Sequence, residues 1–200
     1  MSRGFRRVIL FGALTLLVGL AAWWLPDGSM PTDSIPADQS TPTTLHFTPL
    51  SKPLPVPDVP FIDANGSERR FVDWRGKGIV LNFWATWCGP CVREMPSLDR
   101  LAGRVAGEGI VVIPLSGDRG GLAVVTAFYE RLGLKNLAIY LDPKRAVGAE
   151  FGVEFLPLTV FIGRDGQVLG SHSGFAEWDS PEGLALVHRY LGKPDSNARD

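Results

Sequence analysis

The stretch from Gly78 to Val105 constrains this chain more than any other. Gly78 to Phe83 is an apolar run rich in β-branched and aromatic residues, the pattern of a buried strand. Leu98, Leu101, Ala102 and Val105 recur at i, i+3, i+4 and i+7, which is one face of a helix. Between them stands Trp84-Ala85-Thr86-Trp87-Cys88-Gly89-Pro90-Cys91, carrying the two cysteines of the chain. Both therefore sit where a strand gives way to a helix. The unpaired N–H groups and positive dipole end of a first helical turn favour a thiolate over a thiol. Cys88 is expected at the surface and Cys91, one turn in, beneath it. Such a pair is poised for thiol–disulfide exchange, with Cys88 attacking and Cys91 resolving the mixed disulfide.

Three plainer readings of the pair compete. Half a zinc site needs further ligands, yet there are no other cysteines and only three histidines, His46, His172 and His188, none at ligand spacing from another. A purely structural disulfide closing so short a loop constrains the unfolded chain little. Two inert buried thiols would not be set at a helix start. The redox reading is the one the position supports.

The motif Trp87-Cys88-Gly89-Pro90-Cys91 resembles the active site of the thioredoxin superfamily, and Pro96 matches the proline of its active-site helix. The wider pattern, Val80-Leu81-Asn82-Phe83-Trp84-Ala85-Thr86-Trp87-Cys88 with Arg93-Glu94-Met95-Pro96, resembles the membrane-anchored TlpA-like and ResA-like oxidoreductases of bacteria over roughly Pro55 to Leu191. Ala176 to Glu182 looks like the TlpA branch in particular. The resemblance implies a cis Leu156–Pro157 bond beside the cysteines, with the Leu156 backbone pairing with a docked partner chain. Two positions depart from the pattern: Phe155 stands where the family commonly has Gly, and Leu158 where it commonly has Thr. Thioredoxin also places an Asp where this chain has Asn82, a neutral amide that cannot take a proton. Glu94 lies three residues after Cys91 and so shares its helix face. On the residues alone it fits equally well a surface acid stabilising an early helix turn; the resemblance to the ResA-like proteins implies proton handling at the cysteines. Trp87, Gly89 and Pro90 are expected to shape the site.

Ahead of this core, Arg3, Arg6 and Arg7 precede an uncharged, mostly apolar stretch from Val8 to Leu25. At about 1.5 Å per residue it just spans a bilayer core of about 30 Å, and the arginines hold its start in the cytoplasm. A cleaved signal peptide is the competing reading, but the stretch ends Trp-Trp-Leu-Pro rather than in small residues. Residues 1–25 are thus expected to be a transmembrane signal anchor in the bacterial inner membrane, and 26–54, crowded with Pro, Ser and Thr, a periplasmic linker. The domain is expected over 55–192, with 193–200 a polar tail. It opens with a hairpin, Val59–Asp63 and Arg69–Val72 around Asn65-Gly66. Strands are expected at Gly109–Leu115, Leu137–Leu141, Pro157–Ile162 and Val168–Ser171, and helices at Leu122–Leu132, Arg145–Phe151 and from a start at Asp179–Glu182 to Leu191. Strands alternating with helices argue an α/β fold: a thioredoxin-like central mixed sheet flanked by helices, with an N-terminal hairpin extension.

Net charge is −1 with no basic stripe, so nucleic acid is not an expected partner. No metal, haem or nucleotide site is visible, and the expected cofactor is none beyond a Cys88–Cys91 disulfide. The function read here is a periplasmic reductase of partner-protein disulfides in cytochrome c or cytochrome oxidase biogenesis. Its partners would be protein dithiols and disulfides, recharged by a membrane electron donor of the DsbD/CcdA type. A Cu(I)-handling protein of the same fold, a disulfide-donating oxidant and a peroxidase relative are the alternatives.

Overall fold

The computed structural model describes residues 45–192. The expected anchor at Val8–Leu25, most of the linker and the tail lie outside them. Among the described residues no helix is long and apolar enough to cross a membrane. In chain order the elements are β1 (Thr48–Pro55), β2 (Phe61–Asp63), β3 (Glu68–Arg69), a 3₁₀ turn (Phe71–Trp74), β4 (Gly78–Trp84), α1 (Gly89–Arg104), β5 (Ile110–Ser116), α2 (Gly121–Leu132), β6 (Tyr140–Leu141), α3 (Ala146–Glu150), β7 (Leu158–Ile162), β8 (Gln167–Ser173) and α4 (Pro181–Leu191). The strands form one mixed sheet in the order β1-β8-β7-β4-β5-β6-β2-β3.

β4 is the centre, buried along its whole length, parallel to β5 and antiparallel to β7. Side chains alternate across a strand, and β4 uses both faces. Ile79, Leu81 and Phe83 join Ile113, Leu115 and Val160 beneath Phe61, Phe71, Trp74 and Val147. Val80 and Trp84 face the opposite way, into a core with Leu98 and Leu101 of α1, Phe128 of α2 and Val187 of α4. Leu98 and Leu101 are fully buried, each worth about 2 kcal/mol of transfer free energy. One face thus carries α1, α2 and α4; the other is covered by α3 and the 3₁₀ turn, with Phe61 of β2 packed among them. α4 crosses the start of β4 so closely that a Cβ at Gly78 would lie 2.7 Å from that of Leu191. α2 ends where expected, at Gly133 in the left-handed conformation, which glycine adopts without steric cost.

Three sequence expectations are corrected. The linker read as 26–54 does not extend to residue 54, because Thr48–Pro55 is a strand on the sheet edge, paired with β8 through Thr48↔Ser171 and Leu54↔Val168 around a bulge. Prolines lack the N–H that an inner strand needs, but an edge strand tolerates them. Phe47 anchors this edge by packing on Phe161 and Tyr190, with ring centroids 4.8 and 4.5 Å away. Arg70 to Val72 does not continue the second hairpin strand: β3 stops at Arg69, and Asp73 accepts the Arg70 N–H to start the 3₁₀ turn. The strand expected over Leu137–Leu141 shrinks to Tyr140–Leu141. Asp99 of α1 takes the Leu137 N–H at 3.2 Å, which a ladder could otherwise use, and those of Lys135 and Asn136 just ahead of it at 2.9 and 2.7 Å.

Candidate redox site

The site is built where β4 ends. Trp84, the last residue of β4, is buried against Phe128 with ring centroids 5.0 Å apart. The next turn is fixed from β5, whose last residue, Ser116, pairs with Trp84. Asp118, buried just beyond Ser116, accepts from the Thr86 N–H (2.9 Å), the Thr86 hydroxyl (2.7 Å) and the Ser116 hydroxyl (2.8 Å). Three bonds to one carboxylate hold the approach to the cysteines. Nothing in the sequence reading singled out Asp118; its signal was an acid two residues past a buried strand, level with the end of the neighbouring one.

Cys88 is the N-cap of α1, and its Sγ accepts the Cys91 N–H at 3.3 Å. Gly89 and Pro90 fill the first turn, where a proline's missing N–H goes unneeded. The cysteines are joined as a disulfide with Cα atoms 5.2 Å apart. Cys91 is fully buried, whereas Cys88 keeps 6% of its surface, so only Cys88 can be reached from outside. A cleft of about 480 Å³ opens beside it, lined by Trp87, Pro90, Arg145, Phe155 and Leu156 among others. Trp87 and Phe155 are exposed at 63% and 76%, and the Arg145 guanidinium lies 5.3 Å from the Trp87 ring centroid. Trp84 therefore packs into the core, while Trp87 stands at the mouth. A smaller cleft of about 280 Å³, beneath Phe71 and Trp74, touches neither cysteine.

The Leu156–Pro157 bond is cis. Leu156 and Phe155 line the same cleft as Cys88, so the bulky side chain at 155 is part of the surface a partner would meet.

Glu94 is no surface acid. It is fully buried, and its neighbours come from two other parts of the chain. The Asn82 amide nitrogen donates to Glu94 Oε1 at 2.7 Å and to Thr159 Oγ1 at 3.0 Å. The Ala176 N–H donates to Glu94 Oε2 at 3.3 Å. Burial pushes the carboxyl up from 4.5 to about 8; the bonds from Asn82 and Ala176 oppose this without cancelling it. The Trp178 indole N–H also favours the ionised form, although it makes no completed hydrogen bond. A carboxyl poised near neutral pH is suited to taking and returning protons. Asn82, expected only as the place where an acid was missing, is the direct partner of Glu94. It sits between Val80 and Trp84 on the strand face that α1 covers.

Ala176 to Asp179 clasps α1 at further points. Ser97 Oγ accepts the Trp178 N–H at 3.1 Å, and Arg100 bonds Asp179 through Nε and Nη2 at 2.7 and 3.0 Å. The histidines are engaged elsewhere. His172 is buried edge-on to Trp178 at 5.6 Å, its Nδ1 3.2 Å from the His46 carbonyl; His188 Nε2 lies 2.9 Å from Glu108.

Comparison with known proteins places this geometry. Residues 51–185 match the redoxin family. The chain is 39% identical over 113 residues to the thiol-disulfide oxidoreductase ResA of Geobacillus thermodenitrificans, covering 56% of this chain and 64% of that one. It thus spans somewhat less than two thirds of that relative's length. Among solved structures, a Chlorobium tepidum protein provisionally named thiol:disulfide interchange protein DsbE superposes with a TM-score of 0.64 at 26% identity, over 72% of this chain and 99% of that one. The exposed lipoprotein thioredoxin of Streptococcus pneumoniae superposes at 0.57 with 29% identity, over 66% and 99%. The likeness supports a thioredoxin-like fold and rests on the region that carries the cysteines.

Proposed function

We propose, on the premise that the chain belongs to the redoxin family, that it is a thiol–disulfide oxidoreductase working as a reductase of partner proteins. The observation that carries this reading is the stacking of the site: Cys88 at the cleft, Cys91 sealed behind it, and on the same helix a buried carboxyl titrating near 8. In the reducing direction the Cys88 thiolate attacks a partner disulfide, and the first partner sulfur leaves and takes a proton. Cys91 then gives up its proton, with Glu94 as acceptor, and attacks Cys88 Sγ. The second partner sulfur departs, leaving the Cys88–Cys91 disulfide and a reduced partner. Two electrons pass in all. Leu156 and Pro157 offer backbone at the cleft for the partner chain, and Trp87, Gly89 and Pro90 shape the rim.

The names of the relatives, thiol-disulfide oxidoreductase ResA and thiol:disulfide interchange protein DsbE, support thiol–disulfide exchange as the activity. With Val8–Leu25 as the anchor, the domain would face the periplasm, serve cytochrome c or cytochrome oxidase assembly, and depend on a DsbD/CcdA-type donor. The Gly-Pro pair between the cysteines is the one thioredoxin uses, with a potential of about −270 mV. The expected potential therefore lies on the reducing side of about −180 mV. Equilibration of the purified protein with glutathione buffers, followed by thiol trapping, measures it. A value near about −120 mV, that of a strong periplasmic oxidant, would make the protein a disulfide donor instead.

A further inference from the structure

Beyond the carboxyl itself, the arrangement around it assigns a role to the amide. We propose that Asn82 is the hydrogen-bond partner of Glu94 in both of its protonation states: it donates through Nδ2 to the carboxylate and, after a half-turn of its amide, accepts through Oδ1 from the carboxylic acid. This rests on the reading of Glu94 as the group that exchanges protons with the cysteines.

Three observations carry it. Asn82 Nδ2 spends both its N–H groups, on Glu94 Oε1 at 2.7 Å and Thr159 Oγ1 at 3.0 Å. Asn82 Oδ1 is buried and has no hydrogen-bond partner among the described residues. Asn82, Glu94 and Thr159 are all fully buried, so the surrounding solvent reaches neither state and the partners must come from within the fold. An amide is planar, with donor and acceptor in nearly equivalent positions. A half-turn brings Oδ1 to where Nδ2 stood, within reach of a Glu94 O–H and of the Thr159 hydroxyl. That hydroxyl can accept in one state and donate in the other. The unpartnered amide atom is then the nitrogen instead of the oxygen, so one buried group is left over either way. A leucine at 82 could serve neither state, and an aspartate would add a second negative charge against the first. The proton leaves Glu94 for a cysteine sulfur or returns from it; Asn82 gains and loses none.

The titratable and charged groups around Glu94 are few. The charged side chain whose field acts on it is Glu177, on the segment after β8; the cysteines on its own helix are joined as a disulfide and carry no proton in that state. One strand pair further on is buried His172, opposite Thr159.

The test follows the Asn82 side-chain NH₂ signals and the Glu94 carboxyl carbon by NMR, in labelled, oxidised full-length protein from pH 5 to 10. The expected result is a common midpoint for both, and loss of the Asn82 pH dependence in Glu94→Gln. In Asn82→Asp the single carboxyl midpoint should split in two, as for carboxyls sharing a proton, the upper holding its proton at least about tenfold tighter than wild type. Asn82 signals that stay flat through the Glu94 titration would overturn the proposal, and this arm needs only the wild-type fold. A wild-type protein that shows the shared midpoint yet exchanges no disulfides would sustain the amide's role while refuting the function proposed above.

Discussion

Replacing Glu94 with Gln should change how stability depends on pH more than it changes the fold. The carboxyl titrates at 4.5 when exposed and at about 8 in the folded protein, chiefly because burial penalises its charge. Below pH 4.5 the folded and unfolded chains both carry the proton, and the group contributes no difference. Between 4.5 and 8 the unfolded chain has lost its proton while the folded one keeps it, so stability falls as pH rises. Above 8 both are ionised and the full penalty stands. The gap of roughly three and a half pH units, at about 1.36 kcal/mol each, amounts to on the order of 5 kcal/mol, comparable to the whole stability of many domains. Glutamine keeps the shape and stays neutral throughout. With the Asn82 amide turned, its NH₂ can donate to Asn82 Oδ1 while its oxygen accepts the Ala176 N–H. Glu94→Gln should therefore match wild type near pH 4.5 and exceed it by several kcal/mol at pH 9. Urea unfolding of both oxidised proteins at closely spaced pH values measures the difference. Parallel curves from pH 5 to 9 would show that Glu94 does not hold a proton in the fold, and the argument for its role would fail.

Asp118→Asn, a prediction from the loop geometry, sets an amide donor against the donors of Thr86 and Ser116. It should cost about 1–3 kcal/mol and speed hydrogen exchange at the Thr86 amide; unchanged exchange there would mean that the loop is held by other contacts. Glu94→Gln should also slow exchange with a dithiol and alter its pH profile, and a thiol reactivity profile identical to wild type would limit the residue to a packing role. For the proposed anchor, mass spectrometry of the protein from membranes should find residues 1–25 still attached, and a soluble product starting between Pro26 and Pro36 would sink it.

The strand–cysteine–helix core was legible because each part had its own periodic signal: the apolar run of β4, the helical spacing of Leu98 to Val105, the cap at Ser180. What could not be read were polar contacts between residues far apart in the chain. The sequence links Asn82 and Glu94 only as a missing acid and the acid that stands in for it, not as direct partners, since strand alternation says which face Asn82 takes and not what lies across from it. Asp118 and Asp99 went unread for the same reason: each accepts backbone N–H groups of another segment, and a lone acid carries no pattern. The error at β1 was of another kind. A composition rich in proline argues against an inner strand, yet Thr48–Pro55 lies on an edge, where only one side of the backbone must pair.

The clasp of α1 by Ala176 to Asp179 bears on how the protein is made. The residue that completes the Glu94 pocket lies 82 positions downstream of Glu94 itself. A chain emerging from its N-terminus therefore presents Cys88 and Cys91 well before Ala176 and Trp178 exist to cover the carboxyl. Until then Glu94 is an ordinary acid in water, and the cysteines are ordinary thiols, open to whatever oxidant they meet. Proton handling at this site is a property of the finished chain, and a product cut short before Trp178 would keep the whole cysteine motif without it.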